Sequence, residues 1–439
     1  MPTTALDLNR LLSQGIGDWR QIQTSIKLTN TNTHIIASGL NEYDGGADGY
    51  LEDWWAYVTD KNNAGVERRI RNYYTSNYTA NVFGSAWTTD ADQANIRLGR
   101  HSYGDKQVAI NAAVEEIYPS IFKPIELTEL VTESSLPNGH FRDWASNAAV
   151  PLKYSLNGVT AANTSTGGLF RGGSCSAKLT ATATNGHMSV SSNVYPPLLD
   201  LQGATVSFKA WVYPEDANDG SVGLYTRKAD GTEQEIYSTT SNPAGAYSLL
   251  SLEDQALNDG LVEVQIRFKV KTDTKYAFFD NARVTGYDQR RYLLPKDFDD
   301  GVVSRVFLQG EGSSEDWCDD IQPRDWDEVT GWHIDDDGTD KYLVLPAYYS
   351  SNRLIRLVGR RPLEKVSAST DVVSVDGKEL DMLVAMAKYK LFQGQGGDAS
   401  SEDQSRYDRL ASDAYSEYMR LKMRQGMMKS PSKMNYRTY

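Results

Sequence analysis

Trp211, Tyr213, Tyr225, Tyr237 and Tyr247 are the side chains of this sequence best suited to chemistry, and that chemistry is recognition. Tyr and Trp rings offer flat apolar faces to C–H-rich ligands such as sugars, while amides and carboxylates orient hydroxyls. Trp211 and Tyr213 stand two residues apart, so on a strand they share one face. The simpler reading of Trp211 is a core position. Catalytic frameworks are missing. There is no Gly-x-x-x-x-Gly-Lys-Ser/Thr phosphate loop and no Gly-x-Gly-x-x-Gly opening a helix. The five His residues never form His-Glu-x-x-His or an i, i+4 pair. Cys175 and Cys318 have no Cys-x-x-Cys partner, which argues against zinc. Acids crowd residues 315–340, but glycoside hydrolysis needs two of them fixed across a cleft. The run Asp335-Asp336-Asp337-Gly338-Thr339-Asp340 opens like a calcium loop. It has Leu345 and Pro346 where a bidentate Glu should follow, and so reads as a polar hairpin tip. The expectation is a protein that is not an enzyme.

The elements that must position these rings are strands. Between Asn138 and Val284 lie short alternating runs, such as Ser176–Leu179 and Val206–Val212, with apolar residues at every second position. Asn157-Gly158, Asn185-Gly186, Asp230-Gly231 and Asp259-Gly260 separate the runs and suit the positive φ of tight hairpins. Short strands at this spacing predict a sandwich or jelly roll. The block opens on Asn138-Gly139-His140-Phe141 with Trp144 and closes on Tyr276 to Val284, through Phe278-Phe279-Asp280-Asn281. In that order of signals it resembles the carbohydrate-binding-module jelly rolls attached to secreted glycosidases and many phage virion proteins. The resemblance implies glycan binding through Trp211, Tyr213, Tyr225 and Tyr247. It also implies a structural calcium held by the Asp280 carboxylate and by carbonyls near Asn138 and Lys178, although His140 stands where many relatives carry an acid.

At 439 residues the chain has room for two to four domains. Its net charge of −13 argues against a general nucleic-acid binder, but the charge is uneven. Residues 297–340 hold 15 Asp or Glu and two Arg; Met419 to Tyr439 hold six Lys or Arg and no acid. Such a distribution fits solvated loops and a solvated tail, or surfaces that meet partners, including other copies of the chain. The two cysteines lie in different expected domains, so no disulfide framework is expected. The start Met1-Pro2-Thr3-Thr4 lacks a charged n-region and an apolar h-region, so no secretory signal is expected. No apolar run is long enough for a membrane helix.

The flanks carry both strand and helix signals. Leu6–Gln14 predicts a short amphipathic helix stopped by Gly15 and Gly17. Strands follow at Gln21–Leu28, His34–Ala37, Gly49–Val58, Glu67–Tyr74 and Thr79–Phe83, with Asn63-Ala64-Gly65 as a turn, then a helix over Lys106–Pro119. After the jelly roll, strands recur at Arg291–Pro295, Val302–Leu308, Lys341–Leu345 and Arg353–Gly359. Asp376-Gly377-Lys378-Glu379 has capping-box spacing and predicts a helix from Lys378 to about Gln393, broken by Gly394, Gly396 and Gly397. A second helix is expected to run from Ser401 to about Gln425, stopped by Gly426.

Together the flanks resemble a family of tailed-phage head–tail adaptor or neck proteins. The carriers are the Arg68-Arg69-Ile70 plus Tyr phrase before Trp87, the Ala109–Ala113 helix ending near Tyr118-Pro119, and Tyr292-x-Leu294-Pro295. The Arg324-Asp325-Trp326 phrase, the Arg356-Leu357-x-Gly359 strand and the terminal helical pair complete the order. The implied fold class is α+β multidomain and mostly β: a small β/α adaptor core with an inserted β-sandwich (jelly roll) and a C-terminal helical pair. The expected division is 1–132 and 287–377 as core, 133–286 as insertion, 378–426 as helices and 427–439 as an extended basic tail. The resemblance implies a virion location, in a ring of twelve copies between a portal and a tail or nozzle protein, with DNA only passing through the channel. Tyr407, Leu410, Tyr418, Leu421, Arg424, Lys429, Lys433 and Tyr439 are the expected portal or subunit contacts. The alternative is a host-recognition or tail-fibre-type protein binding cell-surface carbohydrate through the jelly roll.

Overall fold

The computed structural model describes residues 3–145, 149–238, 242–310, 325–350, 352–375, 377–397 and 401–428. Residues 311–324 of the acidic span, Cys318 among them, and the tail residues Lys429, Lys433 and Tyr439 lie outside them. The chain divides into two units: Met1–Lys123 with Pro362–Tyr439, and Pro124–Arg361.

The first unit joins both ends of the chain. Helix α1 (Ala5–Gly15) begins where the Thr4 hydroxyl accepts the Asp7 N–H, and α2 (Tyr103–Ile117) begins where Ser102 accepts the Asp105 N–H. Leu8, Leu12, Ile110, Val114 and Ile117 from these helices share a core with Met382, Leu383 and Met386 of α3 (Gly377–Gly397) and with Tyr418 of α4 (Ser401–Met428). A six-stranded sheet runs in the order Arg20–Gln23, Asn95–Gly99, Trp55–Val58, Glu67–Tyr74, Thr79–Val82, His34–Ile36. The Asn63–Gly65 turn forms as expected, with Gly65 at φ +86 and its N–H bonded to the Val58 carbonyl. The strand Asn95–Gly99 had no forecast. It carries Gly99, whose missing side chain leaves room for the buried pair Asp18–Lys106 (3.0 Å), since a Cβ there would lie 2.8 Å from Asp18 Oδ2.

Of the two stops expected in the terminal helical pair, the first falls at Gly397, the last of its three named glycines, and the second is overrun. Helix α3 runs through Gly394 and Gly396, and α4 runs through Gly426 to Met428. A helical glycine costs about 1 kcal/mol relative to Ala, and packing along a neighbouring helix overrides that. The neighbour is α4 itself, which returns antiparallel: Lys388 bonds Glu417 (3.1 Å), and α4 passes Gly396 with Tyr407 Cβ 3.6 Å from where a Cβ would stand.

The second unit contains the sandwich. Its first sheet runs Val159–Thr164, Ser176–Ala181, Tyr276–Thr285, Thr205–Pro214, Ser248–Ala256; its second runs Glu233–Tyr237, Gly220–Lys228, Leu261–Val270, Gly186–Ser191, Ser155–Asn157. Phe208, Phe268 and Phe279 fill the space between them, with Phe268 edge-on to both other rings at 5.5 Å. All four Asn/Asp-Gly pairs adopt a positive φ, but only Asp230-Gly231 closes a hairpin. The other three turn corners that carry the chain from one sheet to the other. The ends of the sandwich lie side by side, with the Ser135 N–H on the Val284 carbonyl (2.9 Å) and the Ala282 N–H on that of Gly139 (2.8 Å).

This division differs from the expected single core built from 1–132 and 287–377. The strand Lys123–Val131 joins Leu354–Arg361 in a four-stranded sheet, and Tyr342 enters the sandwich core. A chain of charges reinforces the join: Arg142 bonds Glu129 (2.9 Å) and Asp297 (2.6 Å), and Arg361 also bonds Asp297 (2.6 Å). Residues 287–361 therefore fold with the sandwich.

Candidate functional site

The outer face of the second sheet is where rings and hydrogen-bonding groups meet. Strand Leu261–Val270 sets it up. Val264, Ile266, Phe268 and Val270 point into the core, so Glu263, Gln265, Arg267 and Lys269 point out. Strand pairing arranges the face in rows. Tyr237, Gly223, Arg267, Ser189 and Ser155 form one row; Glu235, Tyr225, Gln265 and Ser191 form the next. Gly223 matters because a Cβ there would lie 2.5 Å from Tyr237 Cδ1, so the Tyr237 ring lies down over the strand.

The polar groups of this face are bonded to one another. Arg267 donates to Glu235 (2.5 Å) and Gln265 (2.9 Å), Gln265 to Glu263 (2.7 Å), and Arg227 to Glu263 (2.8 Å). The Tyr237 hydroxyl donates to Glu235 (2.5 Å). Arg267 lies 4.1 Å from the centre of the Tyr225 ring and Lys269 lies 4.0 Å from that of Tyr237. Burial alone would raise the pKa of both carboxyls. Bonds from Tyr237 and Arg267 outweigh it at Glu235, and bonds from Gln265 and Arg227 outweigh it at Glu263, so each stays below the usual carboxylate range. Burial, then the charge of Arg267, lowers His187, which pairs with Lys269 across the strands.

The expected rings do not form one site. Tyr225 is on this face, 9 % exposed. Trp211 and Tyr213 belong to the first sheet, on the opposite side of the sandwich, and Tyr247 directly precedes its strand Ser248–Ala256. Trp211 is not core either. The core positions of its strand are Val206, Phe208, Ala210 and Val212, and Trp211 faces outward. There the segment Leu169–Gly172 roofs it. The Arg171 guanidinium stands 4.7 Å over the indole, Tyr247 donates to the Leu169 carbonyl (2.8 Å), and Asp280 accepts the N–H groups of Arg171 (2.5 Å) and Gly172 (2.8 Å). Tyr213 packs edge-on to Tyr247 and Phe278. These rings hold their own loop.

Asp280 is fully buried, and its Oδ1 has no partner among the described residues. The other calcium ligands expected here are carbonyls near Asn138 and Lys178, two residues whose side chains are engaged elsewhere. Lys178 pairs with Phe278 rather than Asp280, and its ammonium reaches over Tyr276 (4.1 Å). Asn138 spends its side chain on Asp143 and Leu152 and its carbonyl on the Phe141 N–H. Among the described residues no group of three or more His, Cys, Asp or Glu is disposed to hold a metal. In the second candidate, Asp337 accepts the N–H groups of Thr339 and Asp340 in a hairpin turn, as read from the sequence.

The stripe on α4 is also spent within the chain. Tyr418 is 4 % exposed in the core of the first unit with Leu421 packed against it, and Tyr407 and Leu410 pack against Phe392, Ala411 and Ala414. A stripe at helical spacing shows that a helix packs, and here the partner is α3. Arg424 remains exposed.

Sequence reasoning named Tyr225 and Tyr237 among the available rings and missed Glu235, Glu263, Gln265 and Arg267. The strict alternation from Glu263 to Val270 was the signal that marks an outward face made wholly of hydrogen-bonding side chains.

No protein-family model matches the chain, and no curated protein does. Among solved structures it is similar to the C-terminal family 22 carbohydrate-binding module of Clostridium thermocellum Xyn10B (12% identity, 35% of this chain, 95% of that one, TM-score 0.29). It is also similar to the module TmCBM61 solved with beta-1,4-galactotriose (10% identity, 33% and 99%, TM-score 0.22). A third is the enzymatically active domain of tailspike protein 4 of bacteriophage CBA120 (14% identity, 35% and 22%, TM-score 0.25), so the chain spans about a fifth of that protein. Likenesses this distant carry no argument about function. The chain is mostly β, with a two-sheet sandwich and a C-terminal helix pair. Among the described residues no helix is long and apolar enough to cross a membrane.

Proposed function

We propose that the chain is a non-enzymatic virion structural protein whose sandwich binds carbohydrate through the outer face of its second sheet. One observation carries this reading: Tyr225 and Tyr237 stand in adjoining rows with Arg267, Gln265 and Glu235 on a face dressed with hydrogen-bonding side chains. Rings contact sugar C–H faces, and fixed donors and acceptors sort hydroxyls. Binding rather than hydrolysis is supported by the acids. Glu235 and Glu263 are both held in the ionised form by their donors, whereas a glycosidase needs one carboxyl kept protonated. The test is a glycan array probed with the intact chain. Dose-dependent binding to a restricted set of glycans supports the reading, and no retention on any glycan defeats it.

The head–tail adaptor role is the second reading. It is favoured by the shared core of α1, α2, α3 and α4, which closes both ends of the chain into one unit. In this reading exposed residues of α4, among them Arg424, Tyr415 and Met423, meet a portal or a neighbouring copy in the ring. Mass measurement alone and with portal decides it: a monomer that forms a ring on the portal supports an adaptor, and a free-standing trimer supports a fibre.

A further inference from the structure

Resting on the carbohydrate reading above, we infer that the glycan taken by the second sheet is an extended, uncharged chain rather than a polyuronate or other acidic glycan.

The first ground is charge. The face presents three cations, Arg227, Arg267 and Lys269, and three carboxylates, Glu233, Glu235 and Glu263, so its formal charge is zero. The charges are also locally matched. Arg227 is bonded to Glu263 at 2.8 Å and Arg267 to Glu235 at 2.5 Å. Lys269 spreads its charge over the Tyr237 ring at 4.0 Å. An anionic sugar reaching Arg267 must displace Glu235 or lie beside it. Displacement leaves a carboxylate without its cation, and juxtaposition sets like charges together in a partly desolvated place. A hydroxyl meets neither obstacle. It donates to a carboxylate oxygen that still has a free lone pair, and it accepts from a guanidinium hydrogen the ion pair does not use. Arg267 has such hydrogens, because its contacts to Glu235, Gln265 and Tyr237 use fewer than its five N–H groups.

The second ground is shape. The rows continue from Tyr237 across Gly223 and Arg267 to Ser189 and Ser155, over five strands. At about 4.8 Å between strands, the strip is roughly 19 Å long. The rings stand at one end, and small hydroxyl side chains stand at the other. A strip that long receives several sugar rings in line, aromatic contact first and hydroxyl contact after. Gly223 keeps it flat between Tyr237 and Arg267.

The experiment is calorimetry of the intact chain with neutral β-linked oligosaccharides (xylo-, gluco-, manno- and galacto-series) and with oligouronates, each at low and high salt. The expected result is that at least one neutral series binds, more tightly as the chain lengthens and with little salt dependence. Oligouronates of equal length are expected to bind at least about tenfold more weakly. Glu235→Gln, which removes one negative charge beside Arg267, is expected to narrow that gap by strengthening uronate binding. Tighter binding of uronates than of any neutral series, lost as salt rises, overturns the inference and leaves the carbohydrate reading standing. Absence of binding to both classes overturns the carbohydrate reading, and the inference with it.

Discussion

Asp280→Asn will remove most of the pH dependence of the sandwich's stability between about pH 4 and pH 7. Burial pushes the Asp280 carboxyl up from 3.8 to about 7, against the pull of the Gly172 and Arg171 amides. A group whose folded pKa is raised contributes stability that is fully present below about 4 and is lost as pH rises through about 7. For a fully buried carboxyl the difference is on the order of 4 kcal/mol. Asp143, raised by burial to about 6, adds in the same direction. His140 opposes both: burial lowers it to about 4, so its contribution is full above its ordinary 6.5 and is lost as pH falls through about 4. Asparagine keeps an oxygen for the two amides while never ionising. Urea unfolding at about pH 5 and about pH 8 should therefore show wild type losing stability at the higher pH and Asp280→Asn losing far less. Equal losses in the two proteins would show that Asp280 is not the group that titrates. The roof over Trp211 is part of this prediction, because both amides that Asp280 accepts belong to it.

Lys106→Ala will destabilise the first unit by roughly 3–5 kcal/mol, the cost of leaving a buried carboxylate without its cation. Lys106 Nζ and Asp18 Oδ2 are 3.0 Å apart, with side chains 6% and 7% exposed. Asp18 also accepts the N–H groups of Arg100 (2.6 Å) and His101 (3.1 Å), and so fixes the entry to α2. Removing both charges together, as Asp18→Asn with Lys106→Met, should recover much of the loss. Chemical denaturation of Asp18→Asn, Lys106→Met and the double gives the coupling directly. A loss under about 1 kcal/mol for Lys106→Ala would mean that water already reaches the pair.

The local signals in the sequence were enough for the sandwich and the helices, because each element states its own period. Alternation gave the strands, and the motifs at Asn138 and at Tyr276–Val284 marked where the sandwich closes on itself. Hydroxyl caps began α1 and α2 at or near the forecast positions. What depends on distant packing was not legible. The sequence has no sign that Leu169–Gly172 folds over Trp211, so from sequence alone Trp211 and Tyr213 read as one site. Asn157-Gly158 and Asp259-Gly260 state a positive φ but not whether the chain pairs with itself or crosses to the facing sheet. The apolar stripe of α4 states that the helix packs but not on which molecule, and α3 supplies the surface. The glycines of α3 mark its end, but packing on the antiparallel α4 carries the helix past Gly394 and Gly396 to Gly397.

The most direct measurement compares Tyr237→Ala with Trp211→Ala in binding to whichever oligosaccharide the intact chain retains. The two residues lie on opposite outer faces of one sandwich. Loss of a sugar-contacting ring costs on the order of 1–3 kcal/mol, or roughly tenfold or more in affinity. The account predicts that loss for Tyr237→Ala and near-native affinity for Trp211→Ala. Retained affinity in Tyr237→Ala with loss in Trp211→Ala would place the sugar under the roof of the first sheet and contradict it.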